Sequence, residues 1–487
     1  MTMTIESPLL EHLGGYIDGR WAAADSGKTL AVTNPATGDK LADVASMGAA
    51  ETNRAIEAAA RAADAPSPSL AQRRAWLEQL DELHMRHKEA IARIVTQEHG
   101  KPIKEARGEV EYSAGFYRYC AKHIDQLQPR VLDEKPRDCT WTVHYRPMGV
   151  VALLTPWNFP IAMLAKKFCS AVAAGCPSIT KPSSKTPLTI IAMFALIDEH
   201  MDMPPGFANM VIGSAGPISD AIMAHRAVAA VSLTGSTGVG QELIRKSADT
   251  VKRMTLELGG NAPFIVFEDA DVEYAADQLL ANKFRSAGQT CVCSNRIFVH
   301  RSVVDRFVDL FAERVRKLKV GNGMNEDTDI GPLIDAKAYN KVRAHVEDAI
   351  ARGAKRVVGE DIKPLDGDYG AFFPPTVLRD VTDDMTCSCD ETFGPLAPIL
   401  SFDDEAEVVR RANAVDMGLA GYVFTADEKR AERVIAKLHY GHVGWNTGTG
   451  PTSEAPFGGM KQSGYGREGG MEGLFDFTEP QAVPRGR

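Results

Sequence analysis

An α/β fold with a Rossmann-like layer is predicted for this chain from three features of its sequence. A continuous apolar run, Val150-Val151-Ala152-Leu153-Leu154, is stopped by Pro156, as a parallel strand buried on both faces would be. Residues 161–174 then show helical spacing and end at Gly175, a residue suited to the left-handed cap of a helix. The alternation recurs with a strand at 178–180, a helix at 187–199 and a strand at 227–233. Such alternation builds a parallel sheet covered by helices.

Before this layer, residues 50–110 read as helical, with Trp76, Leu80 and Leu83 on one face. Residues 133–145 are polar, with Trp141 and Val143 alternating against their neighbours, which predicts an exposed strand. A second strand–helix alternation opens at Ala262-Pro263-Phe264-Ile265-Val266-Phe267 and continues to about 440, predicting a second α/β unit. Gly259-Gly260 stands between the two, and two glycines permit a sharp change of direction there.

The chain has 487 residues, enough for two or three domains. Apolar residues make up 44% and charged residues 24%, as in ordinary globular proteins. The net charge of −9 argues against nucleic acid or an anionic membrane as partner. No basic start followed by an apolar core opens the sequence, and no apolar run has the length of about 18 residues needed to span a bilayer. A cytoplasmic enzyme is expected. Eight cysteines do not make a disulfide scaffold. The pairs Cys291/Cys293 and Cys387/Cys389 lack zinc-ligand spacing, so no metal is expected.

Three short segments carry chemistry. Cys291, in Gly288-Gln289-Thr290-Cys291, offers a thiol able to attack a carbonyl carbon. Glu257, in Leu256-Glu257-Leu258-Gly259-Gly260, offers a carboxylate that can activate water against the resulting thioester. Asn158, in Thr155-Pro156-Trp157-Asn158-Phe159-Pro160, offers an amide for the oxyanion, shared with the Cys291 N–H. An Asn capping the next helix is the alternative role. A further turn, Gly235-Ser236-Thr237-Gly238-Val239-Gly240, follows a strand and precedes a helix, where backbone amides can hold a pyrophosphate.

These motifs, with Phe393-Gly394-Pro395 and Pro456-Phe457-Gly458-Gly459, closely resemble the aldehyde dehydrogenase superfamily over nearly the whole chain. The resemblance implies a dinucleotide-binding domain (1–125 and 148–258), a catalytic domain (259–468) and a small β oligomerisation arm (126–147 and 469–487). It implies a homodimer or homotetramer. It makes Cys291 the nucleophile, Glu257 the general base and Asn158 the oxyanion donor. Trp157, Lys181, Ser183, Ser184, Gly235, Ser236, Val239, Leu258, Glu391 and Phe393 match its cofactor-binding positions. Relatives that prefer NAD often carry a glutamate where this chain has Ser184. Its loss, beside Lys185, tolerates a 2′-phosphate. NADP is therefore favoured, with NAD as the alternative.

The run Gly288 to Asn295 and Arg285 resemble the succinate-semialdehyde dehydrogenase branch, in which an arginine at this place meets a carboxylate. Lys166 stands where that branch has a second arginine, and Pro451 where it has a serine. A short aldehyde with an acidic far end is expected, succinate semialdehyde first. Glutarate, 2-oxoglutarate and sulfonated or hydroxylated aldehydes follow. A reversible Cys291–Cys293 disulfide is a further expectation. Glu257 disfavours a coenzyme-A-acylating enzyme, and the intact Cys291, Glu257 and Asn158 disfavour a non-catalytic binding protein.

Overall fold

The computed structural model describes residues 5, 7–134, 136–360, 365, 367 and 369–486. The expectation that no leader opens the sequence falls partly on residues 1–4 and 6, which lie outside the described residues.

Four helices fill the first predicted helical stretch: α1 (Ala49–Asp64), α2 (Leu70–Arg86), α3 (Lys88–His99) and α4 (Ile103–His123). Ser69 and Gln72 form a reciprocal capping box that starts α2. Gly100 ends α3 at φ 93°, a conformation costly for any residue with a Cβ. Trp76, Leu80 and Leu83 are all buried, as their shared helical face requires.

The first sheet has eight strands, and its centre is parallel. In spatial order that centre runs Ala208–Met210, Ser178–Lys181, Val150–Leu154, Val228–Thr234 and Arg253–Glu257. Helix α5 (Pro160–Ala174) follows the middle strand, α6 (Leu188–His200) the second, α7 (Ala215–Ala224) the first and α8 (Thr237–Ser247) the fourth. Helix α5 begins one residue earlier than its apolar spacing predicts, because the fixed φ of Pro160 suits the first helical position. Gly175 ends it at φ 80°. Val151 and Leu153 pack into the core with α4, α5 and α6. Val150, Ala152 and Leu154 pack into a second core with α1 and α7. The strand is thus apolar on both faces, each Val or Leu contributing about 1.5–3 kcal/mol by burial.

The order of this sheet reverses between Val150–Leu154 and Val228–Thr234. At such a switch the loops leaving the carboxyl ends diverge and open a crevice. The second sheet has seven strands, running from Lys355–Val358 at one edge to His442–Trp445 at the other. Only the outermost pair, Lys355–Val358 with Thr376–Arg379, is antiparallel. Helix α9 (Val272–Phe284) joins Ala262–Val266 to Ser294–His300. A third, three-stranded sheet pairs Thr140–Pro147 with both Thr478–Arg485 and Arg130–Val131. The predicted strand at 133–145 is therefore displaced toward the carboxyl end. Pro136–Asp138 is a turn instead, with Arg137 at φ 60°.

The chain leaves the first sheet at Glu257 and enters the second at Ala262. One short strand departs from the expected span of the second unit, since Gly464–Tyr465 pairs antiparallel with the edge of the first sheet. Gly259 and Gly260 act differently from expectation. Neither has a positive φ. A Cβ on Gly260 would lie 2.3 Å from the Cys291 carbonyl oxygen, so the requirement is close backbone approach rather than a special turn. Gly260→Ala is expected to destabilise the protein by about 1–3 kcal/mol, read as a lower urea midpoint at constant slope. An unchanged midpoint would show that the two backbones part without cost.

Candidate active site

Carboxyl ends of the first sheet face amino ends of the second across one cleft. From the first sheet come Asn158, beyond Val150–Leu154, Lys181 and Glu257 as last strand residues, and Gly235-Ser236, beyond Val228–Thr234. From the second come Gly260, Cys291 and the pair Glu391 and Phe393, each just before a strand.

The half-buried Cys291 lines a cavity of about 270 Å³ together with Lys166, Arg285, Glu105, Phe457 and Pro451. Lys166 is 1% exposed. Its ammonium lies 4.3 Å from the ring centre of Phe457, 5.6 Å from Phe116 and 5.8 Å from Tyr112, within cation–π range. Burial alone would lower its pKa, but Tyr112, Glu468, Glu257 and Cys291 together hold it upward. The Arg285 guanidinium lies 5.4 Å from the ring centre of Phe159 and remains exposed. Among the described residues neither cation forms an ion pair. The two carboxylates that line the cavity are committed elsewhere. Glu109 pairs with the buried Lys101 at 2.6 Å, and Glu105 accepts the Ser286 N–H at 2.8 Å.

Burial pushes the Cys291 thiol up to about 12; Glu257 and Glu391 reinforce the shift, and Lys166 and Arg285 oppose it. Three to five residues before it the backbone is left-handed at successive residues, Ser286 (φ 52°), Ala287 (φ 55°) and Gly288 (φ 74°). For the two with a Cβ this costs about 1–2 kcal/mol each. Gln289 holds the turn together: its side chain donates to the Ser286 carbonyl at 3.1 Å and accepts the Ile334 N–H at 2.9 Å. The Gln289 carbonyl in turn accepts from the Asn158 amide at 3.0 Å. That bond uses one of two amide hydrogens and leaves the second available. The Cys291 N–H has no backbone acceptor among the described residues.

Glu257 is buried, and neither carboxylate oxygen has a hydrogen-bond partner among the described residues. Burial raises its pKa well above the usual carboxylate range, with Glu468 adding to the effect and Lys166 and Lys167 opposing it. A buried carboxyl without protein partners is positioned to act on a substrate or water. Glu468 pairs with the buried Lys167, which also donates to Ser232 at 3.0 Å.

Beyond the strand Val228–Thr234, Ser236 caps α8, its hydroxyl accepting the Val239 N–H. Gly240 allows α8 to approach Leu258, since a Cβ there would lie 2.6 Å from its side chain. Lys181 is buried and pushed down to about 8 by burial. One of its three N–H donors goes to the Pro182 carbonyl at 2.9 Å. Ser183 accepts the Lys185 N–H, and Ser184 is exposed. Lys185, expected to favour a 2′-phosphate, pairs with Asp335. Glu391 accepts the Gly260 N–H at 3.1 Å, and burial raises it to about 7. Trp157 meets Phe393 edge-on at 5.6 Å. The amides opening α8, the spare donors of Lys181 and this aromatic wall fit a dinucleotide.

Cys293 is not brought into the cavity. Its sulfur accepts from the buried Lys283 ammonium at 3.2 Å and faces the Lys283 carbonyl at 3.5 Å. Both it and Cys291 are free thiols. Among the described residues no cluster of His, Cys, Asp and Glu is arranged to hold a metal ion, and no helix is long and apolar enough to cross a membrane.

Residues 21–483 match the aldehyde dehydrogenase family. The chain belongs to that family. It is 44% identical over 478 residues to a glutarate-semialdehyde dehydrogenase of Pseudomonas putida, covering 98% of each chain. It is also 44% identical over 464 residues to the succinate-semialdehyde dehydrogenase [NADP(+)] of Escherichia coli, covering 95% of each. A solved oxidoreductase from Marinobacter aquaeolei superimposes with a TM-score of 0.97 at 55% identity, covering 99% of this chain and 100% of that one. The aldehyde dehydrogenase fold predicted from the motifs is thus the fold observed.

Several residues of this aldehyde dehydrogenase site escaped the sequence. Lys101, just before α4, and Glu105 and Glu109, in its first two turns, recur at four-residue spacing, which in sequence reads as a solvated helical surface. Glu468 and Lys167 carry no motif of their own. The raised Cys291 thiol has a direct consequence. Without cofactor, its alkylation by iodoacetamide is expected to quicken about tenfold per pH unit from pH 7 to 10, with no plateau, after subtraction of the Cys291→Ala background. A plateau below pH 9 would mean that Lys166 and Arg285 outweigh burial.

Proposed function

We propose that this aldehyde dehydrogenase oxidises a short aldehyde with an anionic far end to the carboxylic acid, using NADP or NAD. One observation carries the substrate class: the cavity holding Cys291 also holds two cations, Arg285 and Lys166, that form no ion pair among the described residues. An anion entering there gains two charge-assisted contacts. The names of the relatives point the same way, since glutarate and succinate semialdehydes both end in a carboxylate.

In the proposed reaction the Cys291 thiol gives its proton to solvent, and the thiolate sulfur attacks the aldehyde carbon. Lys166 favours the thiolate by its charge. The free Asn158 amide hydrogen and the Cys291 N–H meet the oxyanion that forms, a contribution on the order of 3–4 kcal/mol for a single donor in other enzymes. When bound, the nicotinamide supplies the hydride acceptor, and the sulfur is left carrying a thioester. Glu257 then takes a proton from water, the resulting hydroxide attacks the thioester carbon, and the acid leaves as Cys291 is regenerated.

Lys181, Ser183, Ser184, Gly235, Ser236, Val239 and Leu258 are assigned to the adenosine and pyrophosphate side, and Trp157, Glu391 and Phe393 to the nicotinamide side. Ser184 supports NADP, because it places no carboxylate against a 2′-phosphate, and the E. coli relative carries NADP in its name. The pairing of Lys185 with Asp335 limits that preference, so NAD is retained as the alternative. The same proposal takes 1–125 and 148–258 as the cofactor domain and 259–468 as the catalytic domain. It takes 126–147 and 469–487 as the arm of a homodimer or homotetramer, a role supported by the pairing of Thr140–Pro147 with Thr478–Arg485. A cytoplasmic location is supported by eight free cysteines.

Initial rates with succinate, glutarate, 2-oxoglutarate and sulfonated semialdehydes, against neutral aliphatic and aromatic ones, test the substrate class. Acidic aldehydes are expected to give the higher kcat/KM, free acid as product, and no turnover with Cys291→Ala. Arg285→Ala should lower kcat/KM for the acidic set by about 10–100-fold while sparing neutral aldehydes. An equal loss for both sets would remove Arg285 from substrate recognition. A second consequence concerns pH. Because Glu257 is held well above its ordinary value, its base form grows as pH rises, so thioester hydrolysis should quicken from neutral toward alkaline pH. Glu257→Gln should abolish that rise and leave a burst of reduced cofactor followed by slow turnover. Steady turnover without a burst would assign the base elsewhere.

A further inference from the structure

The stretch that opens helix α4 touches both halves of the site, although it was assigned to neither. Lys101 and Glu109 are an ion pair with both side chains fully buried. Such a pair is a weak source of stability, since desolvation offsets most of the attraction, so its geometry is the more informative property. The Lys101 ammonium also donates to the Asn158 carbonyl at 2.7 Å and stands 3.7 Å over the ring of Phe159. The second Glu109 oxygen accepts the Ile161 and Ala162 N–H groups at 3.2 and 3.3 Å, in the first turn of α5. The corner carrying Asn158 is therefore gripped on its backbone from both sides.

One turn before Glu109, Glu105 accepts the Ser286 N–H. Ser286 and Ala287 are the two non-glycine residues held left-handed ahead of Cys291. A conformation of that kind persists only where the surroundings over-determine it, and Glu105 is one of the groups that does so.

We propose that Lys101 and Glu105 are positioning residues, the first for the oxyanion donor Asn158 and the second for the nucleophile Cys291. The segment from Lys101 into the first turn of α4 thereby sets the separation between them. The proposal rests on the mechanism above for its Asn158 half and only on the thiol of Cys291 for its Glu105 half. A structural role alone, joining α4 to its neighbours, predicts losses that follow stability and ignore Asn158.

The test uses the full chain in two arms. In the first, Cys291 is alkylated with iodoacetamide without cofactor or aldehyde, in variants whose Tm is measured alongside. Glu105→Ala is expected to slow alkylation at least fivefold. Glu105→Gln keeps an acceptor for the Ser286 N–H and should remain within about twofold of the unsubstituted protein. Equal rates for all three would overturn the Glu105 half. In the second arm, Lys101→Met should lower kcat about 10–100-fold, as a misplacement of near 1 Å does, with the KM for cofactor within threefold. In an Asn158→Ala background the same change should cost less than threefold, because the group it positions is gone. A full loss in that background would overturn the Lys101 half. If Lys101→Met does not fold, Lys101→Met with Glu109→Gln removes both charges of the pair and is put through the same cycle. An Asn158→Ala variant with undiminished kcat would instead overturn the oxyanion assignment and the Lys101 half with it, while the alkylation arm still decides Glu105.

Discussion

The Gly260 backbone lies against the Cys291 carbonyl, closer than any side chain would allow, and both segments lead directly into neighbouring strands of the second sheet. Much of the site follows from it. The chain leaves the first sheet at Glu257 and enters the second at Ala262, so the carboxylate and the loop holding the thiol are brought together by a four-residue crossing. Glu391 reaches the same crossing by accepting the Gly260 N–H. Gly288 repeats the device on the opposite side, where a Cβ would lie 2.2 Å from the Gly394 carbonyl oxygen. Backbone packed against backbone gives little slack, which suits a site whose reacting atoms must be held to within about half an ångström.

Dense packing also removes water, and the electrostatics of the site are chiefly a record of that removal. Burial is the largest influence on Cys291, Glu257, Glu391 and Glu105, and in each it disfavours the charged form. Left alone, these groups would be a neutral thiol and largely neutral acids, poor as nucleophile and base. The cations offset this. Lys166 opposes the shift at both Cys291 and Glu257, and Arg285 opposes it at Cys291 and Glu105. An anionic substrate that occupies these cations competes with the thiolate for the same positive charge. Under the proposed function, substrate recognition and nucleophile activation are therefore coupled in this cavity.

The legible parts of the sequence were those in which one local rule decides the outcome. The run Val150 to Leu154 is apolar without alternation because helices cover both of its faces, and Gly175 marks its helix end by conformation alone. Cys291, Glu257 and Asn158 were legible through short motifs. Two features were not, and a third was legible only in part. Lys101, Glu105 and Glu109 have the spacing of a solvated helical face, but Lys101 precedes α4 and tertiary packing turns all three inward. The left-handed turn at Ser286 and Ala287 puts a glycine only at its third residue, Gly288, and hydrogen bonds from distant segments offset the cost at the first two. Gly259-Gly260 was legible as special, but two glycines mark a turn and a close approach equally well, and the structure shows the second.

Lys166 and Pro451 bear most directly on how far selectivity within the acidic aldehydes extends. An arginine presents a planar fork that fits a carboxylate through two parallel bonds, whereas a lysine is a point charge with rotatable donors. Here that point charge is enclosed by Phe457, Phe116 and Tyr112, which restrict where it sits and not which anion it meets. Pro451, also in the cavity wall, brings no side-chain donor where the branch has a serine. Under the proposed binding mode Lys166 attracts the far end by charge, and its orientation falls to Arg285, on the exposed side of the cavity. A cavity built this way discriminates by the reach from Cys291 to Arg285 more than by the geometry of the anion. Carboxylates and sulfonates of similar length are consequently harder for it to tell apart than two carboxylates that differ by one methylene.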